Sequence, residues 1–134
     1  MIDIGMRRPG DVAIGYLYAD SIAAGFHGSL LELLWHDRGG PGNVGSIIPV
    51  HAGVNISGPR NDVVRRFLES GSTWLLMLDA DMTFSATLVE QFLDAADAEN
   101  APVIGGLCFG QARAVAGVSI PIAFPPLFDW VRDE

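Results

Sequence analysis

The run Trp74-Leu75-Leu76-Met77-Leu78 is wholly apolar and stops abruptly at Asp79-Ala80-Asp81. A strand that is apolar at every position has both faces covered, as in a parallel sheet held between helices. Side chains alternate along a strand, so this pattern places Asp79 and Asp81 on one side just as the strand leaves the core. Two neighbouring carboxylates repel unless a cation lies between them. Hard divalent cations such as magnesium and manganese take oxygen ligands and bridge carboxylates to phosphates. Open α/β sheets bind their ligands outside the carboxyl ends of the strands. The pair therefore reads either as a metal–phosphate site at the end of a central strand or as two solvated surface acids.

Strand and helix signals alternate on both sides of this run. Residues 11–18 predict a first strand, and Asp20 or Ser21 is positioned to cap a helix reaching about Trp35, with Ile22, Phe26, Leu30 and Leu34 at helical spacing. Gly25 and Gly28 weaken the first half of that helix. Residues 37–45, rich in glycine and containing Pro41, predict a flexible loop, and 46–50 a short second strand. A polar connection over 51–61 leads to a second helix ending at Ser70. Val63, Val64, Phe67 and Leu68 form its apolar face, and Gly71 stands just past its end. After the aspartates, Ser85 is placed to cap a third helix with Leu88, Val89, Phe92, Leu93 and Ala96 as its buried stripe. Residues 102–107 predict a fourth strand, and the Pro-rich stretch 111–134 an irregular tail. The order βαβαβαβ with short connections predicts an α/β fold with a mostly parallel, doubly wound sheet in a single domain over 1–134.

Composition narrows the chemistry. The 134 residues carry a net charge of −8, which disfavours a nucleic-acid backbone or an anionic membrane as partner. All eight basic residues are arginines, so Schiff-base chemistry and a lysine-dependent phosphate loop are excluded. The single cysteine, Cys108, lies in an apolar run and reads as a buried thiol; it excludes an internal disulfide. The apolar stretch 114–128 is interrupted by prolines and too short to span a bilayer, and Arg7-Arg8 precede no signal-type segment. A cytoplasmic location follows as the expectation.

Arg60-Asn61 lie in the segment feeding the second helix, whose free amides and dipole suit an anion, and an arginine fork adds bidentate phosphate recognition. The alternative is that Asn61 caps the helix and Arg60 is a surface charge. Tyr18-Ala19-Asp20 end the first strand at the same edge of the sheet. There Tyr18 is placed to stack on a ring and Asp20 to accept from a ribose or base, or else Tyr18 belongs to the core and Asp20 caps a helix. His27, His36 and His51 have no mutual ligand spacing; His51 reads as a solvated loop residue or as a lining residue of the site.

The set Ser57-Gly58-Pro59-Arg60-Asn61, then Leu75-Leu76-Met77-Leu78-Asp79-Ala80-Asp81-Met82, then Pro102-Val103-Ile104-Gly105-Gly106, resembles nucleotide-sugar glycosyltransferases of the GT-A fold. The resemblance is strongest to family 2-like members found in phages and bacteria, and it covers roughly residues 11 to 110. It implies that Asp79 and Asp81 hold a manganese or magnesium ion on the diphosphate of a nucleotide-sugar donor. It also implies that Arg60 and Asn61 sit near the diphosphate or sugar, and that Tyr18, Ala19 and Asp20 line the nucleotide pocket. A cytoplasmic enzyme of this kind, in the host cytoplasm if phage-encoded, transfers the sugar to an acceptor that the sequence does not name. Enzymes of this fold run substantially longer, their second half carrying the acceptor site and general base. A donor-binding half, a fragment or a degraded gene product is therefore implied, in which Asp129 is the only late acid with local context for catalysis.

Two other readings remain. Leu78-Asp79-Ala80-Asp81-Met82-Thr83 also satisfies the first motif of haloacid-dehalogenase-like phosphatases, with Asp79 as nucleophile and Asp81 as general acid. Against it, two strands precede the motif and lysine is absent. A catalytically inactive nucleotide-sugar-binding module is the third.

Overall fold

The computed structural model describes residues 8–106, 109–113 and 119–123. Three strands, β1 (Val12–Tyr18), β2 (Val44–His51) and β3 (Trp74–Asp79), form a parallel sheet in the order β2-β1-β3. The most apolar strand by burial, β1, is central. Helices α1 (Ala24–Gly39) and α2 (Ser57–Ser70) supply the crossovers from β1 to β2 and from β2 to β3 that parallel strands require, and α3 (Leu88–Ala95) follows β3.

Alternation along β1 divides the core in two. Val12, Ile14 and Tyr16 pack with Phe26, Leu30 and Leu33 of α1 and Val89 of α3. Ala13 on the opposite face packs with Ile48 and Val50 of β2 and Val63 of α2. Helices thus cover both faces of the sheet, and the result is an α/β fold of Rossmann-like character. At Gly15 the approach of α2 is closest, for a Cβ there would lie 2.4 Å from Val63 Cγ1.

Several boundaries differ from the sequence expectation. Helix α1 begins at Ala24, with Ala23 as N-cap and no side-chain cap, so neither Asp20 nor Ser21 starts it, and Ile22 lies before it, 39% exposed. It runs on to Gly39 because Asp37 organises the turn into β2. The Asp37 carboxylate, 5% exposed, accepts from Asn43 N at 2.8 Å and Val44 N at 3.0 Å. The Asp37 carbonyl accepts from Gly42 N at 2.8 Å. The glycine-rich segment is therefore a tied turn, with Gly42 at φ 65°, rather than a flexible loop.

Helix α2 begins at Ser57, four residues before Asn61, so Asn61 does not cap it. Asn55 Oδ1 accepts from Ser57 N at 3.0 Å instead. Gly71 ends α2 in the left-handed conformation expected of it, at φ 77°. Val63 is buried and Phe67 partly buried, whereas Val64 and Leu68 are exposed, so the inward stripe of α2 is narrower than its apolar composition suggested.

Contacts divide the chain into two units, Met1–Pro102 and Val103–Glu134. In the second, residues 103–106 are not a strand, and β4 (Phe109–Arg113) pairs antiparallel with β5 (Ser119–Ala123). The fourth parallel strand expected over 102–107 is thus absent from its described part, and strand structure occupies 111–113 and 119–123, where an irregular tail was expected. Within the described residues no helix is long and apolar enough to cross a membrane.

Candidate functional site

The carboxyl ends of the three strands lie in one row. In register, Tyr18 stands opposite His51 of β2, and Leu17 opposite Asp79 of β3. Asp79 is the last residue of its strand, and the chain then turns, with Met82 N donating to Asp79 O at 3.2 Å. Asp81 belongs to this turn and not to the strand. The strand thus ends at the first acid, and Asp81 follows within the 79–82 turn.

Sheet parity separates the candidates further. Leu75 packs on the α2 face, and Met77 and Asp79 share its parity; Tyr18 packs on the α1 face, and His51 pairs with it. Ala80 packs against the core under α1 and α3, the same cluster as Trp74, Leu76 and Leu78, so the alternation of β3 runs on through Ala80. Asp79 and Asp81 are both exposed, and neither side chain has a hydrogen bond or ion pair among the described residues. Two unengaged carboxylates in one turn form a hard-oxygen donor set of the kind magnesium and manganese prefer.

Arg60 sits in the first turn of α2, three residues before buried Val63, and is exposed. Its guanidinium has no ion pair among the described residues, whereas Arg65 and Arg66 are both bound to Asp62, and Arg65 also to Glu69 at 3.2 Å. The Arg65 hydrogen bond, reinforced by Arg66, holds the Asp62 carboxyl below the usual carboxylate range. Pro59 has no N–H and Asn55 occupies that of Ser57, so anion binding at this end of α2 depends mainly on the Arg60 side chain. Asn61 is exposed on the same side of α2 as exposed Val64 and Leu68.

His51 is the last residue of β2 and not a loop histidine. Its ring meets Tyr18 edge-on with centroids 5.6 Å apart, and its Nε2 lies 3.7 Å from Asp20 Oδ1. The signal in the sequence was its position directly after the apolar strand. Ala19 and Asp20 are exposed beside it, and Tyr18 O accepts from Ala52 N at 2.8 Å. Asp129 and Cys108 lie outside the described residues. An open, mostly apolar groove of about 540 Å³ runs between α1 and the start of β2, and contains none of the candidate residues.

No protein-family model, curated protein or solved structure matches this chain. The functional reading therefore rests on the residues at the sheet edge. They divide into the acid turn after β3, Arg60 in the first turn of α2, and an aromatic–imidazole–carboxylate group formed by Tyr18, His51 and Asp20.

Proposed function

We propose that this chain binds a nucleoside diphosphate-sugar through a divalent cation and serves as a GT-A-type, metal-dependent glycosyltransferase or its donor-binding part. The observation that carries the reading is the pair of unengaged carboxylates, Asp79 and Asp81, in the turn that closes a parallel strand. Among the described residues no group of three or more His, Cys, Asp or Glu is close enough to hold a metal. Asp79 and Asp81 would hold the cation through their carboxylate oxygens. When bound, it neutralises charge on the departing nucleoside diphosphate. Arg60 supplies a second cationic group toward the same diphosphate. Tyr18, with His51 and Asp20, offers an aromatic face and hydrogen-bonding groups to the nucleoside.

Calorimetry with UDP- and GDP-sugars, with and without manganese, tests this directly. The expected result is binding that requires manganese and is lost in Asp79→Asn and Asp81→Asn. Metal-independent binding, or variants that bind like the parent, would remove the site assignment. Release or transfer of sugar separates an enzyme from a binding module, and hydrolysis of simple phosphate esters would favour phosphatase chemistry.

A further inference from the structure

We propose that Gly25 and Ser29 of α1 are positioning residues for the 79–82 turn, a role that rests on the reading of Asp79 and Asp81 as metal–diphosphate ligands. The turn is closed by the Met82 N to Asp79 O bond and is otherwise held from its two sides. On the strand side, β1 fixes Asp79 through its register with Leu17. On the other side, Phe84 N donates to Ser29 Oγ at 3.2 Å, and the Phe84 ring stands edge-on to fully buried Phe26, with centroids 5.8 Å apart.

Gly25 lies one helical turn before Ser29 on the same face of α1. A Cβ at Gly25 would fall 2.7 Å from Thr83 Cγ2, inside van der Waals contact. Thr83 is β-branched and stiff about χ1, so relief of that overlap moves the chain between Asp81 and Phe84. The glycine that weakens the start of α1 as a helix is thus what lets the acid turn dock on α1. Asp81 lies between the two anchors, and its place follows from both. Groups that orient metal ligands without touching the metal typically alter its affinity by about tenfold to a hundredfold.

The test uses Gly25→Ala, Ser29→Ala, Thr83→Ser and the double variant Gly25→Ala/Thr83→Ser in the full chain. Amide hydrogen exchange is read at Met82 and Phe84, and manganese titrations are run in the presence of UDP. Alanine is the better helix former, so Gly25→Ala on a free helix surface would leave stability unchanged or raise it. The expected result is faster exchange at both amides and about tenfold weaker manganese binding in Gly25→Ala and Ser29→Ala. Thr83→Ser removes Cγ2, so the double variant recovers both properties. Unchanged exchange in both single variants, or no recovery in the double variant, overturns the proposal, as does parental manganese affinity in both single variants. A parent chain that binds no manganese refutes the site assignment instead. In that case accelerated exchange that Thr83→Ser reverses still upholds the anchoring of the turn, and its absence overturns it.

Discussion

At Gly15 and Tyr16 the central strand shows how single atoms set local energetics. A methyl group at Gly15 would overlap Val63 Cγ1 and crowd Met77 Sδ and Leu75 Cδ1, at 3.2 and 3.3 Å. Both α2 and the neighbouring strand would have to shift. Gly15→Ala is expected to lower unfolding stability by about 2 kcal/mol, as overpacking of a filled core does, measured by urea denaturation. Tyr16 packs edge-on against Phe26 with centroids 5.0 Å apart. Burial, with a smaller contribution from nearby Tyr18, raises its phenol above the ordinary value of 10.0. The folded state thus holds this proton more tightly than the unfolded state. The resulting stability is complete below pH 10 and is lost as pH rises through the folded value. Urea midpoints followed from neutral to strongly alkaline pH are expected to fall more steeply for the parent than for Tyr16→Phe.

Among the elements, the junction of α1 and β2 is held by one buried carboxylate. Asp37 accepts from two backbone N–H groups, Asn43 N and Val44 N. Asp37→Ala removes both bonds and strands the Asn43 and Val44 amides, with an expected cost of about 3 kcal/mol by thermal or urea unfolding. Asp37→Asn retains one acceptor oxygen and is expected to lose less. The aspartate was visible in the sequence, but its role was not, because its partners lie six and seven residues further on, across a turn that glycine composition made look flexible. The start of α1 was misplaced for a related reason. Asp20 and Ser21 have the right chemistry to cap a helix, but Ala23 is still extended and the helix forms where Phe26 and Leu30 reach the core. Packing thus overrides local capping preference.

For the whole molecule, both hydrophobic clusters draw on residues between Val12 and Leu93, within the Met1–Pro102 unit. A chain ending at Pro102 is therefore expected to keep a cooperative unfolding transition and the far-ultraviolet signature of an α/β fold, checked by circular dichroism during thermal denaturation. Function is expected to separate from stability at the acid turn. The side chains of Asp79 and Asp81 are exposed and unengaged, and the turn bond uses the Asp79 backbone carbonyl. Asp79→Asn and Asp81→Asn are each expected to change unfolding free energy by no more than about 0.5 kcal/mol while abolishing manganese-dependent nucleotide binding.

The alternation of apolar runs and helical stripes by itself determined three βα units in order, a parallel sheet, and a pair of acids at the end of its third strand. Those features follow from side-chain period and burial, which a linear pattern records. Only the tertiary structure decided that β1 is central, that Asp81 lies in a turn beyond the strand, and that α2 begins at Ser57, before Arg60 and Asn61. It also brought His51 against Tyr18 and seated the acid turn on Gly25 and Ser29. Each of these depends on strand order, helix phase or a close approach between residues more than thirty positions apart. Such distances are set by packing of the whole core, so no local window of the sequence contains them.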